Sequence, residues 1–271
     1  FDSEFVAYLN DMYNRNHIDA SPRKGKKNGA NCADWYKGRS AFILLTFTGE
    51  QNEIFTLIHE LGHAIHDYLA IEAQTYHNIH PGYTVAEIAS TFGELLLTDF
   101  LLEKAESNEE KMTILAQVLD DAGQAAFQVS ARVWFEQDLY KAIERGENLD
   151  GRTISNYWCA GRDKIYGDSV EWFEEMNWEW TMKLHYYIPN FRFYNYPYVY
   201  AQLFVYAVYQ TYKKEGKVFV PKFKKLLAAG GSLSPEELGM IVGLDITKKD
   251  FWKLGIKQYE DFVNQLENLM K

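Results

Sequence analysis

Two histidines four residues apart, His59 and His63, flank Glu60 in the segment Leu57-Ile58-His59-Glu60-Leu61-Gly62-His63-Ala64-Ile65-His66. This is an H-E-x-x-H motif, the spacing of a catalytic zinc site. On a helix a separation of four puts both imidazoles on one face, near enough to share one metal ion. Glu60 lies one residue round and can reach the far side of a metal-bound water. Zinc brings the pKa of such a water to about 7, so a neighbouring carboxylate can take its proton. The flanking residues are apolar and mostly good helix formers, as a buried active-site helix requires. The competing reading is two core histidines and a surface glutamate on an ordinary helix.

The residues downstream favour the metal. In Ala86-Glu87-Ile88-Ala89-Ser90-Thr91-Phe92-Gly93-Glu94 the two glutamates are seven apart, two helical turns on one face, and the apolar residues between them bury that face. Two carboxylates facing a core are costly unless paired or bound to metal. The metzincin pattern requires Gly three and His six residues after the second histidine. Those positions hold His66 and Leu69, which excludes that class. Two His with a distant Glu on a second helix is the thermolysin-like ligand set. Of the two glutamates Glu87 is preferred to Glu94 as the third ligand beside His59 and His63, with one Zn2+ per chain and Glu60 as catalytic base. Glu94 is expected to hold a ligand imidazole by its other ring nitrogen. His66 shares the His59/His63 face, where a satisfied core histidine and a supporting role are both open. A fourth-ligand role is disfavoured, because a catalytic site keeps one position for water.

The elements that must position these residues read as mostly helical. Phe5, Leu9 and Met12 form one stripe of a helix over 4–15. Residues 19–40 read as a loop, punctuated by Ser21-Pro22 and Gly25-Lys26-Lys27-Asn28-Gly29-Ala30. Ala41-Phe42-Ile43-Leu44-Leu45-Thr46-Phe47 reads as a strand, and its residues 42–46 could pair with an extended peptide by β-addition. Helices are expected over 52–70, carrying the H-E-x-x-H motif, and over 84–103, carrying Glu87, with a loop at 72–82 between them. A long helical pattern over 108–146 stops at Arg145-Gly146. Residues 150–185 are mixed and aromatic, with turns expected at Gly161 and Gly167. Helices follow at 198–215 and 219–228. Ser234-Pro235-Glu236-Glu237 is a capping box that opens another, and a final helix spans 249–270. Nothing repeats internally.

The chain has 271 residues, 47% of them hydrophobic, enough for a substantial core as one large domain or two small ones. A net charge of −10 argues against nucleic-acid or anionic-membrane partners. No apolar run approaches the ~20 residues of a membrane span. Cys32 and Cys159 are the only cysteines, too few for a disulfide framework, which fits a cytoplasmic location. The first residues, Phe1-Asp2-Ser3-Glu4, have no signal-peptide character and no initiator Met, so a fragment or a processed product is the expectation.

Nine tyrosines lie between Tyr186 and Tyr212, four of them at 194, 196, 198 and 200. Aromatics mostly serve packing. The alternative is a row of phenol donors for the negative charge that develops on a carbonyl oxygen in peptide hydrolysis.

Taken together, Thr56 to His66, Val85 to Thr91, and His185 followed by Phe193-Tyr194-x-Tyr196-x-Tyr198 resemble oligoendopeptidase F, of the thimet-oligopeptidase-like family of zinc metallopeptidases. The Gly25–Ala30 and Phe42–Gly49 segments, and Gly230-Gly231-Ser232 with the helices after it, are similar too. The resemblance implies a mainly α zinc-peptidase catalytic domain with a small β-sheet near the active site, a single domain over 1–271. It implies that His185 and Tyr194 contact substrate and stabilise the oxyanion. Tyr198, Tyr196 and Tyr200 compete for the tyrosine role, because Pro197 and the extra tyrosines shift the register. The implied function is endopeptidase action on short oligopeptides. The alternatives are another thermolysin-like zinc peptidase such as a carboxypeptidase, and a metal-binding but inactive interaction module, against which the intact Glu60 argues. Family members usually carry a further N-terminal helical half that closes a substrate channel, and nothing in this sequence corresponds to it. A more open cleft is therefore expected, and a missing N-terminal lobe or self-association is the partner expectation beside oligopeptide substrates.

Overall fold

The computed structural model describes residues 1–271 except Asn28 and Tyr83. Asn28, part of the expected loop and of the Gly25–Ala30 segment, thus lies outside the described residues. The chain forms two compact units: unit 1 is Phe1–Val118 with Ala201–Lys271, and unit 2 is Leu119–Tyr200.

Unit 1 opens with helix α1, Ser3–Asn14, capped by the Asp2 side chain, which accepts the Glu4 N–H at 2.8 Å. Strands β1 (Ile18–Asp19), β2 (Asn31–Trp35) and β3 (Ser40–Leu44) follow. They form a sheet in the order β1-β3-β2, with β1 parallel and β2 antiparallel to β3. Two expectations need correction. The loop over 19–40 contains β2, because Asn31-Cys32-Ala33-Asp34 lacks the β-branched run that marks a strand, and pairing with β3 makes it one. β3 is central, so at Ile43 and Leu44 both its edges are occupied and it cannot take up a peptide there. Among the described residues β1 and β2 are the edge strands, and β2, with five residues, is the longer of the two.

Helix α2, Gln51–Ala73, starts where the Glu53 carboxylate accepts the N–H groups of Thr48, Gly49 and Glu50 at 2.6, 2.8 and 2.9 Å. It packs along α3, Ile88–Lys104. Gly62 permits the contact: a Cβ there would lie 2.5 Å from Ser90 Cα and 2.6 Å from the Ala89 carbonyl oxygen. Beneath it, buried Phe92 stacks on Phe223 with centroids 4.2 Å apart and meets Tyr209 edge-on at 5.2 Å. Burying each such ring stabilises the fold by roughly 2–3 kcal/mol.

The expected helix over 108–146 is present with one irregularity. Helix α4, Asn108–Gly123, and helix α5, Ser130–Glu144, are joined by a π-helical stretch, Gln124–Val129. In unit 2, α6 (Gly151–Tyr166) begins at Asp150, whose side chain accepts the Thr153 N–H at 2.8 Å. Gly161 is not a turn. It lies inside α6, where a Cβ would meet Phe135 N at 2.8 Å, so the glycine lets α5 and α6 touch. Gly167 does end the helix, with φ 52°. From there to Asn195 the chain runs in turns and 3₁₀ segments at Glu174–Met182 and Leu184–Tyr187. Two indoles pin it to α6: Trp158 Nε1 donates to the Met176 carbonyl at 3.0 Å, and Trp180 Nε1 to Ser155 Oγ at 2.9 Å.

Helix α7, Tyr196–Glu215, leads back into unit 1, followed by α8 (Val220–Ala228), α9 (Pro235–Ile241) and α10 (Lys249–Leu269). The unit divisions thus fall within α4 and α7. Ser234 and Glu237 form the capping box of α9, as expected. Phe204, Val205, Ala207 and Val208 of α7 are wholly buried. The fold is predominantly helical with one small sheet. Among the described residues no helix is long and apolar enough to cross a membrane.

Candidate active site

One turn of α2 separates His59 and His63, and their Nε2 atoms lie 3.2 Å apart. Glu87 Oε2 lies 3.3 Å from His59 Nε2 and 3.4 Å from His63 Nε2. The three atoms make a nearly equilateral triangle. A tetrahedral ion with ligand bonds of about 2.0–2.1 Å needs ligand atoms about 3.3–3.4 Å apart, so this donor set fits zinc. Among the described residues these three form the one group of His, Cys, Asp and Glu placed to hold a metal ion.

Neighbouring side chains hold the triangle in place. Glu94 Oε1 lies 2.8 Å from His59 Nδ1. With its proton on Nδ1, His59 donates to Glu94 and turns the Nε2 lone pair toward the centre. Ser90 Oγ donates to Glu87 Oε2 at 3.0 Å and is itself fully buried. Glu87 differs from its expected setting. It is the N-cap of α3 (φ −85°, ψ 3°), not a residue two helical turns from Glu94 on a continuous face. The close approach of α2 and α3 at Gly62 brings Glu87 to the histidines.

The electrostatics describe a site built for positive charge. Burial lowers the pKa of His59, but the carboxylates of Glu87 and Glu94 outweigh it and raise it well above the ordinary value. Burial pushes Glu87 the other way, yet its contacts with His59 and His63 hold it well below the usual carboxylate range. Glu60 is buried on the same helix, and burial raises its pKa while His63 and His59 oppose the rise. A raised pKa suits a carboxylate that must accept a proton and return it. His66 belongs to the core: it is buried, and burial with the nearby His63 lowers its pKa to about 4, opposed by a hydrogen bond to the Leu227 backbone.

His185, Tyr194 and Tyr198 lie in unit 2, where they line a pocket of ≈ 540 Å³ with Gln128, Arg132 and Lys183. Tyr194 precedes α7 and Tyr198 lies in its first turn, four residues on. Their hydroxyls meet, with Tyr198 donating to Tyr194 at 3.0 Å. The His185 and Tyr194 rings are 5.9 Å apart. Tyr196 and Tyr200 are not among the lining residues. Burial, then Arg132 and Lys183, lowers the pKa of His185, so its ring is neutral near pH 7. The π-helical stretch contributes Gln124, Gln128 and Val129 to the wall, and such stretches often occur at functional sites. Sequence reasoning missed Arg132, Glu136 and Asn195. Arg132 and Glu136 sit in an ordinary-looking helix, and only the interruption of the tyrosines by Asn195 hinted at the last.

Over 271 residues the chain is 30% identical to Oligopeptidase PepF of Bacillus subtilis, covering 98% of this chain and 39% of that protein. It is 30% identical to the chromosomal oligoendopeptidase F of Lactococcus lactis subsp. cremoris, covering all of this chain and 44% of the relative. The chain thus spans about two-fifths of the length of these relatives. The crystal structure of a candidate peptidase from Chlamydophila abortus superposes with a TM-score of 0.87 at 26% identity, over 99% of this chain and 44% of the other. Residues 4–257 match the profile of Peptidase family M3, and the chain belongs to that family.

Proposed function

We propose that the protein is a zinc-dependent endopeptidase that hydrolyses peptide bonds in short oligopeptides. The observation that carries this reading is the His59–His63–Glu87 triangle with Glu60 beside it on the same helix. The names of the relatives, an oligopeptidase and an oligoendopeptidase, support the substrate class. Zinc, when bound, supplies Lewis acidity that polarises a carbonyl and makes water acidic near neutral pH. Glu60 takes a proton from the attacking water and delivers it to the leaving amine. His185 and Tyr194, with Tyr198 behind it, donate hydrogen bonds to the carbonyl oxygen as its charge grows. The open edge of β2 takes the extended peptide backbone by strand addition, the role first expected of residues 42–46. Residues 1–271 then work as one catalytic domain. Both cysteines are free, which fits a cytoplasmic location.

The test is metal analysis together with hydrolysis of quenched-fluorescent peptides blocked at both ends. About one zinc per chain is expected, with cleavage abolished by chelator and restored by zinc. Cleavage only of peptides with a free C-terminus would make the protein a carboxypeptidase. A metal-loaded protein with no turnover would sink the hydrolytic reading.

A further inference from the structure

Glu136, in the middle of α5, is 1% exposed. One carboxylate oxygen accepts the backbone N–H of Phe193 at 2.9 Å, and the other, also buried, has no hydrogen-bond partner among the described residues. A buried carboxylate half satisfied in this way is costly, and an apolar side chain would pack there at lower cost. Phe193 has φ 54°, in the left-handed region that side chains with a Cβ avoid. Such a backbone persists only where its surroundings impose it, and the Glu136 bond is an imposed contact at that residue.

Asn195, two residues on, is 3% exposed and stands between two acceptors. Its side chain is close enough to the Glu136 carboxylate to oppose the rise that burial gives the carboxyl pKa, without hydrogen-bonding the orphan oxygen, and its Nδ2 lies 2.8 Å from His185 Nε2. The carboxylate decides which way the amide points, because turning Oδ1 toward it would set two acceptors together. Nδ2 therefore donates to His185 Nε2, and the single proton of the neutral ring sits on Nδ1.

We propose that Glu136 is a positioning residue for His185 and Tyr194: through Phe193 it fixes the turn that presents Tyr194, and through Asn195 it fixes His185 in the Nδ1–H tautomer. The inference rests on the donor role given to His185 and Tyr194 above. It makes Nδ1–H the His185 donor to the substrate carbonyl. An uncharged residue at 136 would let the Asn195 amide turn over, so that Oδ1 accepts and the ring proton moves to Nε2.

The test reads the imidazole nitrogens of His185 by long-range 1H–15N correlation on the full chain, assigned with His185→Gln. The wild type is expected to show a neutral ring protonated at Nδ1. Glu136→Gln keeps the side-chain length and an acceptor for the Phe193 N–H but removes the charge. It should shift the population toward Nε2–H and lower kcat at least about tenfold at nearly constant KM. Glu136→Asp keeps the charge and should keep the Nδ1–H form. An Nε2–H ring in the wild type overturns the proposal without recourse to any variant. So does an unchanged tautomer in Glu136→Gln, or an unchanged kcat once the tautomer has shifted. Because the tautomer is read without turnover, an inactive protein would count against hydrolysis and leave this inference to be decided by the spectrum.

Discussion

His59 and His63 are held by one turn of a 23-residue helix, whereas His185, Tyr194 and Tyr198 hang on a stretch that is mostly turns and 3₁₀ segments. In the first region sequence spacing and spatial spacing are the same thing: four residues make one turn, and two imidazoles converge. In the second, each position depends on a partner far away in sequence. The Phe193 backbone, at φ 54°, donates to Glu136, 57 residues earlier, and Trp158 and Trp180 tie the preceding segment to α6. Rigid regular structure makes a metal triangle precise. An irregular segment, fixed by a few buried bonds, can present donors that a straight helix could not aim.

The sharpest way to break the comparison is at the base. Glu60→Gln should leave metal content unchanged and lower kcat by about 10²–10⁴-fold, since Glu60 lies outside the ligand triangle and acts on the proton. Metal and kcat should be measured on one sample. Near-normal turnover in the loaded variant would remove chemistry from α2 beyond its ligands.

The corresponding cut in unit 2 is Tyr194→Phe against Tyr198→Phe. Tyr198 donates to the Tyr194 oxygen, which leaves the Tyr194 proton free for a carbonyl. Tyr194→Phe should therefore cost about 10²–10³-fold in kcat with KM nearly constant. Tyr198→Phe should cost less, because it removes only a polarising neighbour. A larger loss at Tyr198 would exchange the two roles.

The same contrast explains what is legible in the sequence. The helices at 4–15, 52–70, 198–215, 219–228 and 249–270 follow from apolar periodicity and from stops such as Gly216, and each appears within a few residues of its expected bounds. His59, His63 and Glu87 follow from their types and spacing. Periodicity alone starts α3 too early, because Glu87 is brought to the histidines by the Gly62 contact and not by a continuous helical face. β2 is invisible because pairing, not propensity, makes it a strand. The Glu136–Asn195–His185 chain is invisible because nothing local distinguishes a buried glutamate from a solvated one on a helix.

Within unit 1 the comparison can be sharpened between a histidine of the triangle and one of the core. His66 is neutral in the fold, its pKa lowered from 6.5 to about 4 by burial and His63. The unfolded chain binds the extra proton between those values, so this contribution is present above about pH 6.5 and is lost as pH falls toward 4. A displacement of that size corresponds to about 3 kcal/mol. Asp67 slopes the opposite way: burial and Asp34 raise its pKa to about 7, so the fold keeps a proton that unfolded aspartate has already released. Total stability in this window is therefore a partial cancellation. The informative quantity is the difference in urea midpoint between wild type and His66→Gln, which should shrink as pH falls from 6.5 to 4. A difference that stays flat would mean that His66 is not held neutral by the core.

The smallest expected effect lies at the edge of the triangle. Glu94 accepts from His59 Nδ1 and supplies no ligand atom to the group, so Glu94→Ala should weaken zinc binding by about 10–100-fold through loss of ring orientation and basicity. Glu87→Ala is its yardstick. That change removes one of three ligand atoms and leaves Ser90 Oγ without its carboxylate partner, so its loss of affinity should be clearly larger. Competition against a chelating dye reads both constants without relying on turnover. The ratio carries the argument: a helix that fixes His59 by itself would make Glu94→Ala nearly silent, and a site that depends on Glu94 for charge would make the two variants equal. An intermediate loss at Glu94 is what the geometry requires, because α2 sets where the imidazole is and Glu94 sets which nitrogen faces the metal.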